Sequence, residues 1–300
     1  MSWLATTMDI IGGVRKLNSN YMMPLIGLGT YKVTGQETVT VAVDAALKSG
    51  YRMFDTAKYY KNEAEIGNAL KELLPKYNLK REDIFITTKF FPSRGNNSEY
   101  VKDMVNESLN CLQTDYLDLV LIHYPKADAS SNDDPKNAEH RRDCYLALEK
   151  YRDNGVIRSI GVSNYEITHL EEIKGYSKTV PAVNQVEFHP HFTREKLKNY
   201  CDKEGIFFQA FSSLARNHPD LINDSTLVNI AKLHNTTVQL LLLAWPLGLG
   251  VGIVPKSTSP QRIVENISSV KIKLTDDELK QIAFLNKDKH YIRCDGWNVL

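Results

Sequence analysis

The stretch LDLVLIH, residues 117–123, is apolar at five of its seven positions and therefore offers no wet face. Such a run suits a parallel strand that has helices on one side and a packed barrel interior on the other. Seven further runs of strand length surround it: LIGLG (25–29), YRMFD (51–55), IFITT (84–88), IRSIGV (157–162), AVNQV (182–186), IFFQAF (206–211) and GVGIV (250–254). One helix-length amphipathic segment follows each run, at 36–49, 63–76, 98–112, 138–154, 167–176, 193–204, 237–247 and 260–268. Strand and helix in strict alternation is the pattern of βαβ units, and eight such units predict an α/β fold, a (β/α)8 TIM barrel, as one domain over residues 1–300. Residues 8–23, which contain Gly12-Gly13 between short apolar and mixed stretches, predict an N-terminal β-hairpin plugging the barrel bottom. After the eighth unit LTDDELKQIAFLN (274–286), where Thr275 can cap with Glu278, predicts an extra C-terminal helix followed by a tail.

Composition narrows the function classes. In 300 residues, 37 Lys and Arg balance 36 Asp and Glu, so no basic field would draw nucleic acid or an anionic membrane. A small-molecule protein, expected as a monomer, fits better. The longest uncharged apolar run, 240–254, is broken by Pro246 and three glycines and is too short to span a membrane. The start MSWLATTMDIIGG has no basic region ahead of an apolar core, so no secretory leader is expected and the cytoplasm is the expected location. Cys111, Cys144, Cys201 and Cys294 lie far apart with no CxxC pair and read as free thiols. GxSxG, HExxH and P-loop motifs are absent, and His189-Pro190-His191 is poorly spaced for one metal face, so no metal is expected.

In such barrels the catalytic groups sit where strands end and loops begin. Asp55 ends the second run, Lys89 follows the third and His123 ends the fourth. Ionisable side chains at three successive strand ends are hard to ascribe to solvated termini. DTAKYYKNE (55–63) adds two adjacent tyrosines, Tyr59 and Tyr60, and spacing alone does not choose between them. A phenol near a lysine ammonium has its pKa lowered, and an aspartate beside that lysine keeps the ammonium charged and placed. Tyrosine, lysine and aspartate would form a proton relay, with His123 holding a carbonyl oxygen.

FDTAKYYKNEAEIG (54–67), ITTKF (86–90), LVLIHYP (119–125), IGVSNY (160–165), AVNQVEFHP (182–190) and IVPKSTSPQRIVEN (253–266) resemble stretches of the aldo-keto reductases, in order and over nearly the whole chain. The resemblance implies NADPH-dependent reduction of aldehydes and ketones. It implies Tyr60 as proton donor, Lys89 as its tuner, Asp55 as the lysine's partner and His123 as the residue orienting the carbonyl, and it puts Tyr59 at a variable position. That family binds NADPH without a Rossmann fingerprint, and Gly27-Leu28-Gly29 has no third glycine at position 32, so this GxG reads as strand packing.

Ser163, Asn164 and Gln185 match the family's nicotinamide-carboxamide contacts, and Phe211 stands where a tyrosine usually underlies the ring. Ser212 and Leu214 follow in the cofactor loop, with Ser213 and Ala215 where Pro and Gly are often seen. Lys256, Ser257, Arg262, Glu265 and Asn266 resemble the adenosine 2′-phosphate and adenine site, which favours NADPH over NADH. Tyr31, Phe91, Tyr124 and Trp297 are the expected aromatic pocket walls. The short polar loop from Pro125 and the short tail imply an open pocket for small or varied carbonyls. A cofactor-binding sensor or structural protein of little turnover is the alternative on the same fold, and the intact Asp–Tyr–Lys–His set argues against it. A phosphate-binding isomerase or lyase on a generic barrel is disfavoured by the nicotinamide residues of the fifth and sixth strands.

Overall fold

The computed structural model describes residues 10–292 and 294–300. The expected absence of a leader, and positions 8 and 9 of the predicted hairpin segment, lie outside the described residues. The first elements among the described residues are an antiparallel pair, β1 (Val14–Lys16) and β2 (Met22–Pro24). Its turn is not Gly12-Gly13. The chain reverses at 17–21, where the Leu17 amide donates to the Tyr21 carbonyl at 2.9 Å and Asn20 takes φ 71°. Asparagine tolerates that left-handed conformation because its short side chain is the least hindered there. The turn does cap the barrel's N-terminal end: Asn18 Nδ2 donates to the Pro181 carbonyl at 3.0 Å, and the Ser19 and Ser159 hydroxyls are 2.7 Å apart.

Eight parallel strands follow: β3 (Leu28–Gly29), β4 (Met53–Asp55), β5 (Phe85–Phe90), β6 (Leu117–Ile122), β7 (Ile157–Ser163), β8 (Val183–Glu187), β9 (Phe207–Phe211) and β10 (Gly252–Ile253). Each pairs with its sequence neighbour, and the two ends meet through parallel bridges Ile26↔Ile253 and Gly29↔Lys256. The GxG makes this closure possible. A Cβ on Gly29 would sit 2.5 Å from the Val254 carbonyl oxygen, and one on Gly27 would sit 2.4 Å from Met53 Cε.

Among the described residues the α-helices are α1 (Gln36–Lys48), α2 (Glu63–Lys76), α3 (Asn97–Leu112), α4 (Asn137–Asp153), α5 (Ile167–Tyr176), α6 (Glu195–Lys203), α7 (Pro219–Ile222), α8 (Ser225–Leu233), α9 (Val238–Gly248), α10 (Pro260–Ser268) and α11 (Asp276–Ala283). The gap between β9 and β10 holds three of them, so the expectation of one helix per gap fails there. No strand separates α7, α8 and α9. Thr275 and Glu278 form the expected capping box on α11, each side chain accepting from the other's amide.

Period-two alternation divides each strand between two cores. Val120 and Ile122 of β6 pack into the layer between strands and helices, whereas Leu119 and Leu121 join Met53, Phe85, Val183 and Phe207 inside the barrel. This division positions the site, because the interior parity continues to each strand's C-terminal end.

Candidate active site

On β4 the interior positions are Met53 and Asp55; on β5 they are Phe85, Thr87 and Lys89. The same count places His123 one step past Leu121, Ser163 at the end of β7, Gln185 and Glu187 on β8, and Phe211 at the end of β9. Lys89 is a strand residue rather than the first loop residue, because β5 runs on to Phe90. Both tyrosines lie on a single 3-10 turn, Lys58–Tyr60. Successive side chains of a 3-10 helix point about 120° apart, since it has ~3.0 residues per turn. The two neighbours therefore meet the cavity differently: Tyr59 is 56% exposed at the rim, its ring 6.3 Å from that of His123, and Tyr60 lies beside Lys89. Buried Asn62 holds the turn, its Oδ1 accepting from Thr56 Oγ1 at 2.6 Å and its Nδ2 donating to the Thr30 and Val33 carbonyls, both at 2.9 Å.

Lys89 is fully buried and donates to Asp55 Oδ1 at 2.7 Å and to the Thr56 carbonyl at 2.8 Å. Asp55 Oδ2 accepts from Gln185 Nε2 at 2.7 Å, which crosses the barrel mouth. Tyr60 Oη stands 3.5 Å from Lys89 Nζ. The expected depression of the phenol pKa is not what this geometry gives. Burial first, then the Asp55 charge, hold the Tyr60 phenol well above its usual range, and the Lys89 ammonium is already matched by Asp55. Burial lowers the Lys89 pKa, and Asp55 opposes that. Burial and the Lys89 charge push His123 down to about 3, so its imidazole is neutral. Phe91 stacks on that ring with centroids 4.8 Å apart and planes at 24°, while Tyr60 meets it edge-on at 5.8 Å.

The His123 shift has a stability consequence. An unfolded imidazole takes a proton near pH ~6.5, whereas the folded one stays neutral down to about pH 3, so below ~6.5 the unfolded state binds more protons and stability falls with pH. His123→Gln is expected to flatten the fall of the thermal midpoint between about pH 7 and about pH 5. Equal slopes for variant and parent in scanning fluorimetry would contradict this assignment.

Asp55, Tyr60, His123 and Gln185 line a cavity of about 1200 Å³ together with Ser163, Asn164, Phe211, Ser212, Leu214 and Lys256, and Lys89 lies buried behind that lining. Ser163 Oγ donates to the Gln185 carbonyl at 2.8 Å, and Asn164, at φ 63°, donates from Nδ2 to the His123 carbonyl at 3.0 Å. Beyond Lys256, Ser257 and Asn266 are buried while Arg262 and Glu265 are exposed around the N-terminal half of α10, so these four flank the cavity rather than line it. Lys256 and Arg262 have no ion-pair partner among the described residues. Unmatched cations at a helix start, with an aromatic face and free amide oxygens at the barrel mouth, fit an anionic dinucleotide.

Of the expected aromatic walls, Tyr31, Phe91 and Tyr124 line the cavity, and Trp297 does not. Trp297 packs outside it, edge-on to His290 at 4.8 Å and to Phe192 at 5.5 Å. The tail's contribution comes instead from Tyr291, Ile292, Cys294 and Asp295, none of which the sequence signalled, because this segment has no periodic pattern. The pocket is also less open than the loop length suggested: residues 126–129 and Asn132 line it, and the Asn132 carbonyl accepts from the Leu300 amide at 2.9 Å. Among the described residues no helix is long and apolar enough to cross a membrane, and no group of three His, Cys, Asp or Glu could hold a metal ion.

Residues 25–287 match the model of the aldo/keto reductase family. The chain is 39% identical over 274 residues to a glyoxal reductase of Bacillus subtilis (strain 168), covering 91% of this chain and 93% of that protein. It is 38% identical over 290 residues to aldose reductase B of Dictyostelium discoideum, covering 91% and 92%. Among solved structures, an aldo-keto reductase enzyme from a Medee basin deep-sea metagenome library superposes with a TM-score of 0.83 at 36% identity, over 94% of this chain and 98% of that one. With these matches and the barrel geometry together, this chain belongs to the aldo/keto reductase family and is an oxidoreductase of that family.

Proposed function

We propose that the protein reduces aldehydes and ketones to alcohols with NADPH, and that Asp55, Tyr60, Lys89 and His123 carry the chemistry. The observation that carries this reading is that a phenol, a carboxylate and a neutral imidazole line one cavity that extends to Lys256, with the buried Lys89 ammonium behind them, bonded to Asp55 and beside the phenol. When bound, the dihydronicotinamide supplies a hydride to the carbonyl carbon. Tyr60, whose raised pKa keeps its proton at neutral pH, delivers that proton to the carbonyl oxygen as negative charge develops. The transfer is favourable because an alkoxide resembles hydroxide, the base of water at pKa ~15.7, and is far more basic than a phenolate. Lys89, held by Asp55, steadies the phenolate left behind. His123 orients the carbonyl without adding charge: its Nδ1 is buried with no partner, so the tautomer that orphans no N–H puts the proton on the other ring nitrogen.

Ser163, Asn164 and Gln185 would hold the carboxamide. Gln185 Nε2 is spent on Asp55 and Gln209, at 2.7 Å each, which leaves its Oε1 as the acceptor. Phe211, Ser212 and Leu214 would line the path onward, Phe211 through its ring face. Lys256, Ser257 and Arg262 would take the 2′-phosphate, with Glu265 and Asn266 at the adenine. Arg262→Ala is expected to weaken NADPH by roughly tenfold or more, the worth of a charge-assisted contact, with little effect on NADH. Equal losses for the two cofactors in a fluorescence titration would refute the phosphate assignment.

The reading is tested by mixing the protein with NADPH and a panel of aldehydes, ketones and sugars while following nicotinamide absorbance. A dicarbonyl and an aldose head the panel, given the names of the two relatives. Turnover is expected; NADPH binding with no turnover on any carbonyl would favour a low-turnover binding protein.

A further inference from the structure

One cavity wall is owed neither to the four polar groups nor to the cofactor arm: the segment of Tyr291, Ile292, Cys294 and Asp295, which lies in no helix or strand. A cluster at the end of β8 fixes it in place. Glu187 closes that strand on the interior parity and is 3% exposed. Its Oε1 accepts from the Tyr291 amide at 2.6 Å and from the Ile292 amide at 3.2 Å, and its Oε2 is 3.1 Å from the Ile292 amide. His189 Nε2 lies 2.9 Å from the same Oε1. Because His189 Nδ1 is buried without a partner, the tautomer that orphans no N–H is the one donating to Glu187.

His191, fully buried, adds a second grip. Its Nδ1 is 2.7 Å from the Tyr291 hydroxyl, and its carbonyl accepts from the Lys287 and Lys289 amides at 3.1 and 3.0 Å. Burial lowers its pKa to about 4, so its ring is neutral, and because Nε2 is buried without a partner the tautomer that orphans no N–H donates from Nδ1 to that hydroxyl. A buried carboxylate is costly unless its oxygens are well supplied with donors, and here two of the donors come from a segment more than 100 positions away. The segment then runs into the site. A Cβ on Gly296 would meet the Asn164 carbonyl oxygen at 2.1 Å, so the backbone there presses directly on the turn after β7.

We propose that Glu187, supported by His189 and His191, is a latch of positioning residues that seats Tyr291, Ile292, Cys294 and Asp295 as a cavity wall and so sets which carbonyl compounds fit. The selectivity half of this rests on the reductase reading; the seating half does not. Cys294, on the latched wall, reports the seating directly, and Cys111 on α3 serves as an internal reference.

Glu187→Gln puts an amide where Oε2 faces a backbone N–H, and Tyr291→Phe removes only the hydroxyl bonded to His191. Each is expected to raise native-state iodoacetamide labelling of Cys294 relative to Cys111 by roughly tenfold, as for one lost buried hydrogen bond, read by peptide mass spectrometry. In the same variants the preference for a bulky aromatic aldehyde over a small one should rise, with the change in KM rather than kcat. An unchanged Cys294 to Cys111 ratio in both variants overturns the latch. So does equal acceleration at the buried Cys144 and Cys201, which would mean general loosening. The thiol measurement uses no substrate, so its failure is distinct from a failure to reduce carbonyls.

Discussion

Tyr60→Phe is expected to lower kcat for carbonyl reduction by roughly 10²–10⁴-fold, the usual contribution of a placed general acid. NADPH binding should be nearly unchanged. The substitution removes one oxygen from a ring that packs against Tyr31 with centroids 5.1 Å apart and against His123 at 5.8 Å, and both apolar contacts survive. Lys89 Nζ, 3.5 Å from that oxygen, keeps its bonds to Asp55 and Thr56, so no buried charge is stranded. Steady-state kinetics with fluorescence titration separates the two effects. Tyr59→Phe is the control: its ring sits at the rim, edge-on to Phe91 at 5.9 Å, and if it abolished turnover while Tyr60→Phe did not, the proton donor would be misassigned.

Lys89→Met should cost both stability and activity, for separable reasons. It leaves Asp55, 3% exposed, with Oδ1 unpaired while Oδ2 keeps the Gln185 contact. Removing one partner of a buried ion pair costs roughly 3–5 kcal/mol, because the surviving charge is left uncompensated in a low-dielectric site. The double variant Asp55→Asn, Lys89→Met removes both charges and should recover most of that stability in urea unfolding. Its activity should stay low, since no ammonium remains beside Tyr60. A double variant as unstable as the single one would show that Lys89 acts by packing rather than by pairing. Recovery of activity along with stability would remove the lysine from the chemistry.

Much of this site was legible before any coordinates. LDLVLIH and its seven counterparts are strands because they are apolar on both faces, and counting by twos from Leu119 or Met53 leads to His123 and Asp55 at the barrel mouth. Lys89 and Gln185 follow by the same count. What the count could not see was anything without a period. Trp297 was misplaced because a tryptophan near a tail end carries no signal of which way the tail folds, and Cys294 and Asp295 were overlooked for the same reason. The stretch 219–233 passed unnoticed as helix because the expectation of one helix per gap was already satisfied by α9.

The sequence by itself determined the strand count, the parallel order and the set of side chains pointing inward, because alternation and burial are local properties of a chain. The tertiary structure alone decided the electrostatics and the far wall. The Tyr60 phenol lies above its ordinary range rather than below it because the fold buries it and sets the Asp55 charge near it, while the Lys89 ammonium is matched by Asp55. The cavity is closed on one side because Glu187 meets the amides of Tyr291 and Ile292 across more than 100 residues of chain. Both depend on distances between groups remote in sequence, and no pattern of neighbours encodes such distances.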